Sequence, residues 1–367
     1  MKRYFLLLVI IFIFNACSEK NDEDIKIGFI AGLSGKYSSL GTRIRDGFTL
    51  AFKEIDYTIN NQKVVIIQKD DKQDELEAKK IIDNLVENNI KLIVGNTTSS
   101  MTKVSFPVIN KQKGSLLISA TASGSDFTKK DDNFLRIQVE NSEKKFKNLK
   151  KYIIKNKNIV FIYDSKNKAY TDGYEEYFQK MLFETWGNGF VTKFDINKPY
   201  KKFIDKLKTK EVDLILIVAN SIDSANIIQY LRLAKINAQI LASGWSKTMD
   251  FIENGGKAVE GVLFSSEYNE NSSDKRFLDF INSFRKTYNK TPSALEAQGY
   301  ELGKILIENL SISSDISTLK QRILNQKTYK GLQGDIIFDK YGDVSREYFM
   351  MKIANAKYVK IDNEMEK

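Results

Sequence analysis

Residues 25–56, IKIGFIAGLSGKYSSLGTRIRDGFTLAFKEID, decide how the rest of the chain is read. Apart from Lys26, Ile25–Ile30 is unbroken by polar residues, the pattern of a strand buried on both faces rather than on one. Phe48, Ala51, Phe52 and Ile55 recur at helical spacing, which predicts an amphipathic helix over 41–56. Small residues, Gly32-Leu33-Ser34-Gly35, join the two. A buried strand, a small-residue loop and a helix make the first half of a βαβ unit.

The unit repeats along the chain. Lys63–Gln68, Lys91–Val94 and Ser115–Ile118 read as buried strands, alternating with helices near 74–88 and 99–111. A second series has strands near Ile159–Tyr163, Phe190–Phe194, Leu214–Val218, Gln239–Leu241 and Gly261–Phe264. Its helices lie near 142–155, 171–185, 200–208, 222–234 and 246–252. Helices without strands follow at 274–288, 293–308 and 316–325, then short strands near 335–338 and 347–353. Continuous apolar strands joined by helices imply parallel sheets covered on both faces. The fold class expected is α/β, with two doubly wound parallel-sheet lobes.

Upstream of this pattern, Lys2 and Arg3 precede eleven apolar residues, Tyr4–Phe14, and then Asn15-Ala16-Cys17. A basic start, a short apolar run and a small residue before the cut describe an export signal over 1–16; the run is too short to span a bilayer as a stable helix. Cys17 is the only cysteine in the 367 residues. Its place just after the cut resembles a bacterial lipobox, in which the cysteine is lipidated and becomes the mature N-terminus. The other reading is an ordinary signal with a chance cysteine. Either way the chain works outside the cytoplasm, and on the first it is held to a membrane through Cys17, with 17–24 as a tether.

Composition excludes several chemistries. The chain has no histidine, which removes His-based acid–base catalysis, Ser-His-Asp triads and histidine metal ligands. With Cys17 committed to the anchor, thiolate catalysis and cysteine metal sites go too. Neither an enzyme nor a metal or other cofactor is expected. Cleavage removes two basic residues and no acid, taking the formal charge from +10 to +8. The excess is spread in interleaved lysines. Those of 144–157, where Phe146, Leu149 and Ile153 fall at helical spacing, read as the solvated face of a helix. Nucleic acid is not an expected partner.

In an open parallel sheet, ligands bind beyond the carboxyl ends of the strands. Those ends carry Gly95-Asn96-Thr97-Thr98-Ser99-Ser100, Ser119-Ala120-Thr121-Ala122-Ser123-Gly124, Ala219-Asn220-Ser221 and Ala242-Ser243-Gly244-Trp245. Short hydroxyls and free amides there suit a cleft for a small polar solute, and the helix starting near Ser99 offers a seat for a carboxylate. Taken one loop at a time, the same residues also serve as helix caps and turns.

The segments IKIGFIAGLSGKYSSLGTRIRDGFTLAFKEID, VVIIQKDD, LIVGNTTSS and LLISATAS, with Tyr170-Thr-Asp-Gly173 and Ala297-Gln-Gly-Tyr300, resemble the leucine/isoleucine/valine-binding family. These are solute-binding proteins of branched-chain and amide-type ABC importers with the type I periplasmic binding protein fold. The resemblance runs from Ile25 to Ile361. It implies two lobes joined by three hinge strands, here near 139–142, 267–271 and 340–343, closing on a ligand. Lobe I would comprise 25–140 and 270–341, and lobe II 141–269 and 342–367. It further implies that Ser99 meets a ligand carboxylate through hydroxyl and amide, that Thr121 offers backbone groups, and that Ser123 offers a hydroxyl and an amide. Tyr170 would close over the ligand from the opposing lobe, with cap or packing roles as the alternative for each side chain.

Three positions depart from the family pattern. Gly244 stands where the amino-acid binders place an acid against the ligand ammonium, Leu40 stands for an aromatic near the first loop, and Ser221 for another in the second lobe. An ammonium shut into a dry cleft without a partner costs several kcal/mol. A standard α-amino acid is therefore disfavoured unless Asp126 or Glu267 faces it. Trp245 reads either as a ligand wall or as a core tryptophan. The function expected is a monomeric receptor, lipid-anchored outside the cytoplasm, that hands a small amino acid, amide or related carboxylate to an ABC permease. The alternative is a sensory or scaffold lipoprotein of the same fold.

Overall fold

The structure, a computed structural model, describes residues 23–361; Cys17 and the leader lie outside them. The first unit is β1 (Ile25–Ala31) and α1 (Ser38–Lys53), followed by the β2 (Thr58–Ile59) and β3 (Gln62–Asp70) hairpin. Then come α2 (Glu75–Glu87), β4 (Leu92–Gly95), α3 (Ser99–Ile109), β5 (Leu116–Ser119) and β6 (Phe134–Arg136). They form a six-stranded sheet in the order β2-β3-β1-β4-β5-β6, parallel except at the β2 edge. β1 is buried on both sides, as its composition requires. Ile27 and Phe29 join Ile44, Phe48 and Phe52 of α1 in one core cluster. Ile30 joins Ile81, Ile82 and Leu85 of α2 in another.

The second unit runs α4 (Glu143–Ile153), β7 (Ile159–Tyr163), α5 (Lys168–Trp186), β8 (Thr192–Asp195), α6 (Tyr200–Leu207), β9 (Leu214–Val218), α7 (Ser221–Leu233), β10 (Gln239–Ala242), α8 (Met249–Gly255) and β11 (Leu263–Ser266). The chain then supplies α9 (Lys275–Tyr288), α10 (Ala294–Ile312) and α11 (Leu319–Gln326), with a small sheet of β12 (Thr328–Lys330), β13 (Asp335–Phe338) and β14 (Val344–Ser345). It closes with β15 (Phe349–Ala354) and β16 (Lys357–Lys360). The second sheet has the order β16-β15-β11-β10-β9-β7-β8. Its β15 and β16 are antiparallel, so this edge departs from the wholly parallel sheet expected.

α10 returns to the first sheet and packs on α1. The approach is close enough that a Cβ on Gly47 would lie 1.8 Å from the Glu296 carbonyl oxygen, and one on Gly299 would lie 2.1 Å from that of Ile44. The small sheet is tied to β6 by Arg136, which is fully buried and ion-paired at 2.6 Å to Asp343. Three segments pass between the two large sheets: 137–142 from β6 to α4, 267–274 from β11 to α9, and 346–348 from β14 to β15.

Candidate functional site

The carboxyl ends of both large sheets face one cavity. From the first sheet and α1 it is lined by Leu40, Thr97, Ser99, Thr121 and Ser123. Lys145, Asn167, Tyr170, Gly244, Trp245, Lys247, Ser265 and Ser266 line it from the second. Gln138, Glu267 and Tyr348 come one from each connecting segment, and Ala294, Leu295 and Gln298 from the start of α10. The space open to the centre of a water molecule is about 50 Å³. One water needs about 10–15 Å³ on that measure, so the enclosure suits several waters or one small organic solute.

Five of the six side chains expected at a ligand meet here: Ser99, Thr121, Ser123, Tyr170 and Trp245. Ser221 does not. It begins α7 beside its cap Asn220, whose side chain accepts the Asp223 amide at 3.0 Å, and it is absent from the cavity wall.

The polar groups of the first lobe are arranged differently from the open seat expected. Thr98 caps α3 and accepts the Met101 amide. The Ser100 amide donates to Asn167 Oδ1 at 3.1 Å, across to the second lobe. Ser99 Oγ accepts the amides of both Ser123 and Gly124, each at 3.1 Å. Thr121 Oγ1 donates to the Thr97 carbonyl oxygen at 2.6 Å. These serines and threonines therefore brace the loops against one another, and the Ser123 amide, expected to reach a ligand, is already engaged.

Ser123 Oγ instead takes part in a group with Asn141 and Lys145. Lys145 Nζ donates to Ser123 Oγ and to Asn141 Oδ1, each at 3.1 Å, and lies over the rings of Tyr170 (5.2 Å) and Tyr174 (5.7 Å). Only 5% of Lys145 is exposed, which corrects its assignment to a solvated helix face. On α4 it shares the inward side with Phe146, Leu149 and Tyr152. Burial pushes its ammonium down to about 8, against the opposing fields of Glu267 and Glu140 and with that of Arg136. Tyr170, also enclosed, is pushed up to about 12 by burial. Its hydroxyl bonds that of Tyr174 at 3.1 Å.

Glu267 forms the floor. Its Oε1 accepts from Gln138 Nε2 and from the Tyr348 hydroxyl, while Gln298 Nε2 donates to Gln138 Oε1. The three connecting segments thus meet in one hydrogen-bonded group under the cavity. Asp126, the other acid considered for an ammonium, pairs with Lys103 at 2.7 Å outside the cavity wall.

At the mouth, Trp245 stacks on Tyr37 at 6.2 Å and meets Tyr170 edge-on at 5.9 Å. It is both wall and core, and it joins the lobes. Around it Lys36 pairs with Asp223 at 2.8 Å, and Arg43 with Asp250 at 3.0 Å and Glu296 at 2.8 Å. The Tyr37 hydroxyl donates to Asp164 at 3.1 Å. The bonds to Asp223, Asp250 and Asp164 join the two lobes, while Arg43–Glu296 ties α1 to α10 within the first.

Among the described residues no cluster of acids, histidines or cysteines could hold a metal, and no helix is long and apolar enough to cross a membrane. Periplasmic binding protein is the family whose profile matches residues 24–357. The chain is 24% identical over 345 residues to Leu/Ile/Val-binding protein homolog 3 of Brucella melitensis, covering 89% of this chain and 90% of that one. It is 22% identical over 334 residues to the Leu/Ile/Val-binding protein of Escherichia coli K12, covering 88% of each. Among solved structures it is similar to the branched-chain amino acid substrate-binding protein LivJ of Streptococcus pneumoniae in complex with isoleucine (TM-score 0.80, 21% identity, 92% of this chain and 99% of that one). It is also similar to an ABC transporter solute-binding protein of R. palustris in complex with benzoate (TM-score 0.81, 16% identity, 92% and 95%). The chain therefore belongs to the periplasmic binding protein family, a family of extracytoplasmic solute-binding proteins and not of enzymes.

Proposed function

We propose that this chain is the receptor of an ABC importer, lipid-anchored through Cys17, which traps a small polar solute between its lobes and presents it to the permease as a monomer. The solute class is an amino acid, an amide or a related carboxylate. The observation that carries this reading is the cavity lined at once by both lobes and all three connecting segments. A solute held there gains contacts available only when the lobes meet, so binding and closure are one equilibrium. Ser99, Thr121, Ser123, Tyr170 and Trp245 would line its path, with Tyr37 and Trp245 sealing the mouth.

A melting screen of the mature protein against amino acids, amides, urea, short organic acids and benzoates tests the reading. A ligand at 100 times its dissociation constant adds about 2.7 kcal/mol of stability. No shift from any compound would contradict the receptor reading. Normal uptake in a deletion strain, with the chain held by a non-transport partner, would favour a sensory or scaffold lipoprotein instead.

A further inference from the structure

Two ammonium groups face the cavity, and only one has a counter-ion. Lys247, 1% exposed, is ion-paired with Glu270. Lys145 bonds only the neutral oxygens of Ser123 and Asn141, and no carboxylate among the described residues pairs with it. Glu267, the acid nearest in the wall, has Oε1 committed to Gln138 and Tyr348, and its Oε2 takes no hydrogen bond. Beside it Ser265 Oγ is buried in the wall without a partner. The α3 amides that would seat an anion are largely spent on Asn167 and Thr98, and those of Ser123 and Gly124 on Ser99.

We propose that Lys145 selects the ligand of this cleft: a small carboxylate whose anionic group sits on the Lys145 ammonium and whose other end donates a hydrogen bond to Glu267. The assignment rests on the receptor reading above and narrows it from small polar solutes to carboxylates. A buried ammonium without an anion is costly, and a ligand carboxylate removes that cost in the closed state. The same carboxylate as a primary amide cannot, because its charge is gone while its shape is kept. Leu40, Tyr170 and Trp245 supply apolar contact between the two ends.

The test measures binding of matched pairs to the mature protein by calorimetry: L-alanine and alaninamide, L-isoleucine and isoleucinamide, lactate and lactamide, benzoate and benzamide, 3,4-dihydroxybenzoate and its amide. The wild type prefers the carboxylate of its best pair by about tenfold or more, the range of a charge-assisted hydrogen bond. Lys145→Gln abolishes that preference, and Lys145→Arg restores part of it. In the wild type, affinity for lactate and benzoate falls above about pH 8 while affinity for lactamide and benzamide, which like them carry no amine, stays level. The groups facing Lys145 are Glu267, Glu140, Arg136, Tyr170 and Tyr174, and burial pushes both tyrosine hydroxyls up, that of Tyr170 to about 12. This pH profile does not depend on whether the variants fold. Equal affinity for acid and amide, or unchanged carboxylate binding by Lys145→Gln, overturns the assignment and leaves the receptor standing. Silence of the wild type toward every compound overturns both.

Discussion

The mouth and the floor of the cleft use charge in opposite ways. At the mouth every charge has a partner within the protein: Lys36 with Asp223, and Arg43 with Asp250 and Glu296. At the floor Lys145 has only neutral partners and one oxygen of Glu267 has none. The mouth is self-sufficient and keeps the lobes together; the floor is completed by something from outside. A pair as exposed as Lys36–Asp223, with side chains 40% and 14% exposed, contributes little because water screens it, whereas an enclosed unpaired charge is expensive and discriminating. Recognition therefore belongs to the floor, and the mouth controls how often it is shut.

Perturbing each region should give effects that fall in order of burial. Beneath the floor, Arg346 and Glu301 form a pair at 2.8 Å, with side chains 2% and 3% exposed. Glu301→Gln leaves that guanidinium without its counter-charge and should lower unfolding free energy by about 3–5 kcal/mol in urea titration. A loss below 1 kcal/mol would show that water reaches the pair.

Lys145→Met should act the other way on the protein without ligand, stabilising it on the order of 1–3 kcal/mol at pH 7 while ending its response to carboxylates. The sign follows from proton counts. Folding depresses the Lys145 ammonium from 10.5 to about 8, so between those values the unfolded chain holds more protons and wild-type stability rises with pH. The advantage of the methionine variant should be constant below about pH 8 and fade towards 10.5. A constant advantage across that range would mean the ammonium is not desolvated.

At the mouth, Tyr37→Phe removes one bond to Asp164 and keeps the stack on Trp245. It should cost about 1 kcal/mol of closure, read as a few-fold weaker ligand binding with selectivity unchanged. Smallest of all, Asp223→Asn should change stability by less than about 1 kcal/mol, and the difference should vanish in high salt. A larger, salt-independent loss would make the mouth as desolvated as the floor.

Much of the frame was legible in the chain. The runs at Ile159–Tyr163 and Leu214–Val218 are β7 and β9 to the residue, because strands buried on both faces must be apolar throughout. The elements missed, such as β2, β6 and β14, have two or three residues and take their identity from their neighbours rather than from any period. Ser99, Thr121, Ser123, Tyr170 and Trp245 were found because they follow strands or match a family motif. Lys145 was missed because a lysine-rich helix suggests solvent. Its spacing to Leu149 and Tyr152 puts it on the inward side, the signal that was available. Gln138 and Tyr348 gave no local sign. They are 210 residues apart and meet only because three connecting segments converge. Glu267 was named as an acid that could reach the cleft, but only the tertiary fold selects it over Asp126.

The most direct measurement is a crystal structure of the mature protein grown with its tightest-binding carboxylate. The account predicts lobes closed on a single small molecule, with a carboxylate oxygen within about 3 Å of Lys145 Nζ and a donor on Glu267. A cleft too full to admit any solute, or a ligand whose uncharged end rests on Lys145, would contradict it.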